Sequence, residues 1–149
     1  EFVEDRRKLA ESKNLNLTVD TQQEMPMIYA DRNLTGQVLS ILLINAFNYT
    51  PASGRVCVTA NISHHDDRDW AGFMVQDTGM GIPPDEQQNL FTRFYRGKVG
   101  RKSGISGTGL GLSIAKEIMD RQKGKISVKS VGIPGEGTTF QVWFEVEKS

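Results

Sequence analysis

The sequence predicts an α/β fold, a two-layer sandwich in which a mixed, largely antiparallel sheet packs with one face against helices. Consecutive strand-like segments are separated by turns rather than by helices, which favours antiparallel pairing over a doubly wound parallel sheet. These paired segments are residues 55–62 with 70–76, and residues 125–130 with 139–146. Two further segments, 31–49 and 110–121, carry apolar residues at helical spacing and supply the second layer.

The composition is that of one ordinary globular domain. The chain has 149 residues, of which 38% are hydrophobic and 24% are charged, and this is enough apolar material for a single core. The formal net charge is zero, which argues against binding to nucleic acid or to a membrane surface through charge. Cys57 is the only cysteine, so no intrachain disulfide is possible and a reducing compartment is favoured.

Cellular location is predicted from what the sequence lacks. No apolar run is long enough to cross a membrane, and no signal peptide is visible. We therefore expect a cytoplasmic domain. The first residue is Glu1 rather than methionine, so we expect a piece of a longer protein, whose own anchoring to a membrane this piece would not reveal.

Short elements alternate at the start of the chain. Residues 2–13 are typical of a helix end, and residues 15–19 alternate apolar with polar side chains, as a half-buried strand does. Residues 25–27 predict a bend and residues 28–29 a short strand. Asp31 can cap the long helix that follows. Every fourth residue of that helix forms an apolar stripe: Leu34, Val38, Leu42 and Ala46.

Turns and loops separate the later elements. Residues 50–54 and 132–137 are rich in turn-forming residues. Residues 64–69 predict a hairpin loop that would contain both histidines, His64 and His65. A short helix is predicted over residues 85–91 after a Pro-Pro pair, and residues 95–106 predict a mobile, glycine-rich loop.

Asp77 ends a predicted strand and is followed by two glycines, Gly79 and Gly81. A carboxylate only accepts hydrogen bonds, so a buried one pairs with the exocyclic amine of adenine and rejects the carbonyl that guanine carries there. The glycines allow the backbone to turn sharply and to approach a base closely. Taken alone, an aspartate and a glycine after a strand are more typical of an ordinary turn.

Asn45 lies on the predicted long helix, and its amide oxygen is a suitable ligand for Mg²⁺, which is commonly shared with substrate phosphates. Ile41 precedes it by one turn and Asn48 follows it by about one turn, on the same face. In isolation, a hydrogen bond between this asparagine and a loop is the commoner role.

A run of three alternating glycines, Gly107, Gly109 and Gly111, precedes the second predicted helix. Free N–H groups at a helix N-terminus bind phosphate, although the spacing is that of neither a P-loop nor a dinucleotide-binding loop. No acidic residue lies between Gln87 and Lys116. The cations in that interval suit a lid over a triphosphate, with a solvated basic loop or a nucleic-acid contact as alternatives: Arg93, Arg96, Lys98, Arg101 and Lys102.

Together, four ordered segments resemble the N, G1, F and G2 boxes of the catalytic, ATP-binding domain of sensor histidine kinases. They are Asn45-Ala46, Asp77-Thr78-Gly79-Met80-Gly81-Ile82-Pro83, Phe91-Thr92-Arg93-Phe94-Tyr95-Arg96 and Gly107-Thr108-Gly109-Leu110-Gly111-Leu112-Ser113-Ile114. The resemblance implies the Bergerat fold, which these kinases share with type II topoisomerases, Hsp90-like chaperones and MutL-like repair proteins.

The resemblance implies ATP and Mg²⁺ as ligands. It gives Asn45 the metal and a catalytic role, and it gives Arg93 and Arg96 catalytic contacts with the γ-phosphate. The nucleotide-binding residues that it implies are Asn45, Asn48, Tyr49, Asp77, Gly79, Gly81, Ile82, Phe94, Gly107, Thr108, Gly109, Leu110, Gly111 and Leu112.

Two residues depart from the family pattern. Ile41 stands where histidine kinases usually have a second asparagine and where the related ATPases have a glutamate that activates water. Asn48 stands where a basic residue near the phosphates is typical. The departures leave open a degenerate kinase domain that acts as a non-catalytic nucleotide-binding or scaffold module. An ATP-driven clamp is disfavoured because it needs the glutamate as a general base, and a serine kinase of the anti-sigma type is a further alternative.

The resemblance also implies partners. The γ-phosphate would pass to a histidine on a separate helical dimerisation domain of the same protein, and from there to an aspartate of a response regulator. His64 and His65 lack the helical motif of such an acceptor. Residues 1–13 are therefore assigned to the connection with a missing phosphoacceptor domain, and residues 14–149 to the catalytic domain. The parent would be a homodimer, whereas this piece would be a monomer unable to autophosphorylate, and no nucleic acid is expected to bind.

Overall fold

The computed structural model describes residues 4–20, 28, 30–92 and 111–146. The helices in these ranges are α1 (Glu4–Ser12), α2 (Arg32–Tyr49), α3 (Pro84–Gln87) and α4 (Gly111–Arg121). The strands are β1 (Asn16–Asp20), β2 (Arg55–His65), β3 (Arg68–Asp77), β4 (Lys125–Lys129) and β5 (Thr138–Glu145).

The five strands form one sheet in the order β1-β2-β3-β5-β4. β1 and β2 are parallel, and every other neighbouring pair is antiparallel. The parallel pair is the one whose strands are joined through α2, because a parallel connection needs a long crossover. The mixed, largely antiparallel sheet confirms the predicted fold class.

A single core lies between one face of the sheet and the helices. Alternate strand residues are buried, as the two-residue period of a half-covered sheet requires: Val56, Val58, Val75, Phe140, Val142 and Phe144. The long helices supply the opposite side: Val38, Leu42, Leu43, Ala46, Phe47, Ala115, Ile118 and Met119. Burying each of the larger side chains contributes about 1.5–3 kcal/mol.

Helix α2 carries much of the site described below, and its first turn is capped as predicted. Asp31 is the N-cap, and its Oδ1 accepts a hydrogen bond of 2.9 Å from the backbone N–H of Leu34. Leu34 itself is 38% exposed, so the predicted stripe meets the core only from Val38 onward.

The hairpin between β2 and β3 is tighter than the sequence suggested. The prediction of a loop over residues 64–69 is wrong, because His64 and His65 belong to β2 and pair with Asp69 and Arg68. The turn consists of Asp66 and Asp67, whose φ angles are 53° and 59°. Two consecutive left-handed residues are the geometry of a two-residue hairpin, and aspartate tolerates it. Polar cross-strand pairs therefore extend the strands beyond the end of their apolar alternation.

Other differences are smaller. The helix predicted over residues 85–91 is the short Pro84–Gln87, and Ile28 forms an isolated bridge with Val146 rather than a strand. The predicted loop over residues 95–106 lies outside the described residues. In the described part of the chain, no helix combines the length and the apolar character that crossing a membrane requires.

Candidate nucleotide-binding site

Asp77 is the last residue of β3, where it pairs with Val56 of β2 and Thr138 of β5. The residue is only 4% exposed. Its Oδ1 accepts hydrogen bonds from the backbone N–H of Gly79 at 2.9 Å and of Thr138 at 3.2 Å. Both bonds end on the same oxygen, which leaves Oδ2 without a hydrogen bond from any described residue.

Burial raises the pKa of Asp77 from 3.8 to about 6, even though the backbone bonds from Gly79 and Thr138 act to lower it. The charged form therefore exists at neutral pH in an environment that disfavours it. A ligand that donates a hydrogen bond to the carboxylate would relieve part of that cost.

Two glycines allow the backbone to close around this carboxylate. A Cβ at Gly79 would lie 2.3 Å from the carbonyl oxygen of Tyr49. A Cβ at Gly137, where φ is +71°, would lie 1.7 Å from the carbonyl oxygen of Asp77. No larger residue fits at either position without displacing the backbone.

The loop after Asp77 is held by a polar network from distant parts of the chain. Ser130 Oγ accepts hydrogen bonds from the N–H of Ile82 at 2.9 Å and of Gly132 at 3.2 Å, and it donates to the carbonyl of Gly137 at 2.8 Å. The side-chain amide of Gln87 donates to the carbonyls of Ile82 at 3.0 Å and of Ser130 at 2.7 Å. The network fixes this loop against the turn between β4 and β5.

The C-terminal end of α2 forms the neighbouring wall. The carbonyl oxygen of Tyr49 accepts a hydrogen bond of 3.2 Å from the N–H of Met80, which joins the end of the helix to the loop after Asp77. Asn45 lies one turn earlier and is half-buried. Its side chain makes no hydrogen bond to another described residue, so its amide oxygen is available to a ligand.

The N-terminus of α4 completes the described part of the site. A Cβ at Gly111 would lie 3.4 Å from Cγ2 of Ile41, so the first residue of α4 lies against α2 one turn before Asn45. Leu112 packs against the core, and Ser113 is buried in the first turn. Ile41 therefore takes a packing position between the two helices and offers no ligand atom.

Nine of the sixteen predicted site residues belong to the described part of the chain. Asn45, Asn48, Tyr49, Asp77, Gly79, Gly81, Ile82, Gly111 and Leu112 lie on the end of β3, the following loop, the last turns of α2 and the start of α4. The rest lie outside the described residues: Arg93, Phe94, Arg96, Gly107, Thr108, Gly109 and Leu110.

The side chains of the described residues fit a magnesium ion that is held mainly by substrate phosphates, not one held by protein ligands alone. No group of three or more His, Cys, Asp or Glu residues among them is arranged to hold a metal ion. A magnesium ion that shares its ligands with substrate phosphates needs only one or two protein oxygens, and the amide of Asn45 could supply one.

Sequence reasoning missed Ser130, Gln87, Gly137 and Thr138 as parts of this site. Their hydrogen bonds and close contacts join segments more than forty residues apart. No local sequence pattern predicts such contacts. Only the Gly135-Glu136-Gly137 repeat offered a signal, and it is equally typical of a plain turn.

Comparison with known proteins gives a consistent result. Residues 30–148 match the family of histidine kinase-, DNA gyrase B- and HSP90-like ATPases. The chain is 38% identical over 142 residues to the sensor histidine kinase Hik2 of Synechocystis sp., covering 91% of this chain and 32% of that protein. It is 36% identical over 140 residues to the adaptive-response sensory kinase SasA of Rippkaea orientalis, covering 94% of this chain and 34% of the other. It therefore spans about a third of the length of these curated relatives.

The fold has close counterparts among solved structures. Full-length ShkA in complex with AMPPNP superposes with a TM-score of 0.79 at 28% identity, over 99% of this chain and 29% of that one. The catalytic domain of the histidine kinase ThkA gives a TM-score of 0.78 at 26% identity, over 97% and 88% of the two chains.

We expect Gly137→Ala to unfold the loop around Asp77, with a loss of about 3 kcal/mol or more in the free energy of unfolding. Gly135→Ala is the matched control, because its φ is also positive, +91°, but nothing lies within 4 Å of its added Cβ. That variant should lose only about 1–2 kcal/mol, the cost of a left-handed alanine. Urea denaturation measures both values, and equal losses would contradict the proposed close contact with Asp77.

We expect Asp77→Asn to stabilise the ligand-free protein at pH 7.5. The pKa of Asp77 is about 6 in the folded state, against 3.8 for a free aspartate, the value taken for the unfolded chain. The folded state therefore binds the proton more tightly than the unfolded state does. Stability is therefore fullest below pH 3.8 and falls as the pH rises through 6, by up to about 3 kcal/mol. The neutral amide escapes this loss, and its Oδ1 can still accept both backbone bonds.

Urea denaturation of both proteins between pH 4 and pH 7.5 tests this expectation. The stability gain of Asp77→Asn should grow with pH through that range. Asp85→Asn, at an exposed position in α3, is the control and should show no such growth. A variant less stable than the parent at pH 7.5 would mean that the backbone hydrogen bonds favour the charge more than burial opposes it.

Proposed function

The chain belongs to the family of histidine kinase-, DNA gyrase B- and HSP90-like ATPases, with the catalytic domains of sensor histidine kinases as its relatives, and we propose that it binds Mg²⁺ and ATP and presents the γ-phosphate to a histidine. That histidine lies on a separate helical dimerisation domain of the same protein. The phosphoryl group then passes to an aspartate of a response regulator. The domain works in the cytoplasm, as a monomer when separated from its parent homodimer.

The observation that carries the proposal is the buried carboxylate of Asp77. Its Oδ1 is already occupied by the N–H groups of Gly79 and Thr138, so Oδ2 is the atom offered to a base. The exocyclic amine of adenine donates to it. Guanine presents a carbonyl at that place and would leave a buried charge unpaired, a cost of about 1–3 kcal/mol or more.

The remaining assignments follow the elements around this carboxylate. Asn45 holds the magnesium ion through its amide oxygen, and the start of α4, with the glycine run before it, holds the phosphates through backbone N–H groups. Gly79, Gly81 and Ile82 form the wall against the base, next to Tyr49. Arg93 and Arg96 are proposed to contact the γ-phosphate, and Phe94 is proposed to bind the nucleotide.

The reaction that the proposal describes is an in-line phosphoryl transfer. The bond between the γ-phosphorus and the β–γ bridging oxygen breaks, a bond from phosphorus to an imidazole nitrogen forms, and ADP leaves. Positioning and charge neutralisation supply most of the catalysis in such a transfer. Residues 14–149 are the catalytic domain in this scheme, and residues 1–13 lead to the phosphoacceptor domain.

A second candidate is a degenerate kinase domain that binds nucleotide weakly and acts as a scaffold. Ile41 favours it, because an isoleucine packed against the start of α4 can neither ligate a metal nor act as a base. This candidate predicts nucleotide binding that does not respond to Mg²⁺.

Calorimetric titration with AMPPNP decides whether the site is selective for adenine. We expect binding that disappears with the corresponding GTP analogue and in Asp77→Asn. Because the ionised carboxylate accepts the hydrogen bond, the affinity should fall as the pH drops below the Asp77 pKa of about 6. Equal binding of the two analogues would contradict adenine recognition by Asp77.

Titrations with and without Mg²⁺ separate the two candidates. We expect Mg²⁺ to strengthen AMPPNP binding, and Asn45→Ala to remove about tenfold or more of that gain. Asn33→Ala is the control, because Asn33 is an exposed asparagine in the first turn of the same helix. Binding by the unaltered chain that ignores Mg²⁺ would favour the scaffold.

A further inference from the structure

Helix α2 offers the proposed phosphate site no positive charge of its own. It has no basic residue in its last turn, and the face that carries Asn45 presents only an isoleucine at position 41 and an amide at position 48. A triphosphate with a single magnesium ion keeps a net negative charge, so a binding site benefits from at least one further cation.

Lys13 places such a cation at the end of this face. Its Nζ donates a hydrogen bond of 3.2 Å to Oδ1 of Asn48. Asn48 follows Asn45 by three residues, so the two side chains lie on neighbouring parts of one helical face. Because the amide oxygen of Asn48 accepts from the ammonium, its NH₂ group is left to donate elsewhere, so the pair has N–H donors for a ligand.

The backbone around Lys13 fixes the point from which this side chain extends. Its own N–H is hydrogen-bonded to the carbonyls of Leu9 at 3.2 Å and of Ala10 at 3.1 Å, and Asn14 takes a left-handed φ of 56° to turn the chain into β1. The turn after α2 then binds this segment, because the N–H of Ser53 donates to the carbonyl of Asn14 at 2.8 Å. The end of α1 is thereby fixed beside the end of α2.

The charge of Lys13 is also not neutralised within the described part of the chain. No carboxylate of a described residue lies within ion-pair distance of its ammonium, whereas other exposed cations have such partners. Lys116 pairs with Asp120 at 2.5 Å, and Arg68 with Glu145 at 3.4 Å.

We propose that Lys13 is a phosphate-binding residue, which supplies from the end of α1 the positive charge that α2 lacks at Asn48. The proposal rests on the proposed binding of ATP and names one more residue of that site. The ligand class is the polyphosphate chain of an adenine nucleotide, recognised jointly by an ammonium and an amide on adjacent elements.

Calorimetry with AMPPNP and an NMR titration with adenosine, which has no phosphate, test the proposal. Lys13→Met should weaken AMPPNP binding by about fivefold to tenfold, which is the typical contribution of an exposed charge-assisted hydrogen bond to affinity. It should leave adenosine binding unchanged. Lys8→Met removes the same charge from an exposed position in the preceding helix, α1, and should change neither. Asn48→Lys on the Lys13→Met background should restore AMPPNP affinity.

Each other outcome overturns the proposal in a recognisable way. Unchanged AMPPNP binding in Lys13→Met, or failure of Asn48→Lys to restore a lost affinity, would remove Lys13 from the site while the proposed function stands. Equal weakening toward AMPPNP and adenosine would assign Lys13 a purely structural role. An unaltered chain that binds no adenine nucleotide would overturn the proposed function together with this inference.

Discussion

The burial of one carboxylate is the constraint on which the rest of the site depends. A carboxylate at 4% exposure raises the free energy of the folded protein, and backbone donors that approach it closely offset part of that cost. That approach requires a residue without a side chain at Gly79 and at Gly137, where an added Cβ would collide with a carbonyl oxygen. The two donors come from opposite sides, the loop after β3 and the start of β5. The carboxylate can therefore exist only where the sheet ends as it does here.

The supporting network explains why this arrangement is rigid. Ser130 and Gln87 bind the loop after Asp77 through hydrogen bonds to the N–H and the carbonyl of Ile82. The loop fixed in this way donates to Oδ1 and not to Oδ2 of Asp77. A buried carboxylate oxygen without a hydrogen-bond donor from the protein raises the free energy of the ligand-free state. It also favours a ligand that donates a hydrogen bond. The same burial therefore limits stability and underlies the proposed preference for an amine donor.

The sequence predicted the parts of the structure that depend on local patterns. The capped helix that begins after Asp31 and the paired strands follow from periodicity, which a single segment reveals by itself. The prediction of the hairpin loop was wrong because His64 and His65 pair with polar residues of the next strand. The periodicity of apolar residues cannot reveal such pairs. Ser130 and Gly137 could not be assigned, since their roles exist only once β3, β4 and β5 lie side by side. The contact of Lys13 with Asn48 is of the same kind, since its partners are separated by 35 positions in the sequence.

The two departures from the family pattern have different physical consequences. Ile41 exchanges a polar group for packing against the start of α4, which stabilises the junction of the two helices but removes an oxygen from the vicinity of Asn45. At position 48 an amide stands where the family typically has a positive charge. The amide oxygen can accept a hydrogen bond from a cation that another element supplies. A missing ligand atom has no such substitute, whereas a missing charge can be replaced by any cation within reach. Arg6 of α1 also donates to Ser40 of α2 at 2.5 Å. Helix α1 and the turn after it thus contact α2 at Ser40 and at Asn48, which fixes the point from which the proposed substitute charge extends.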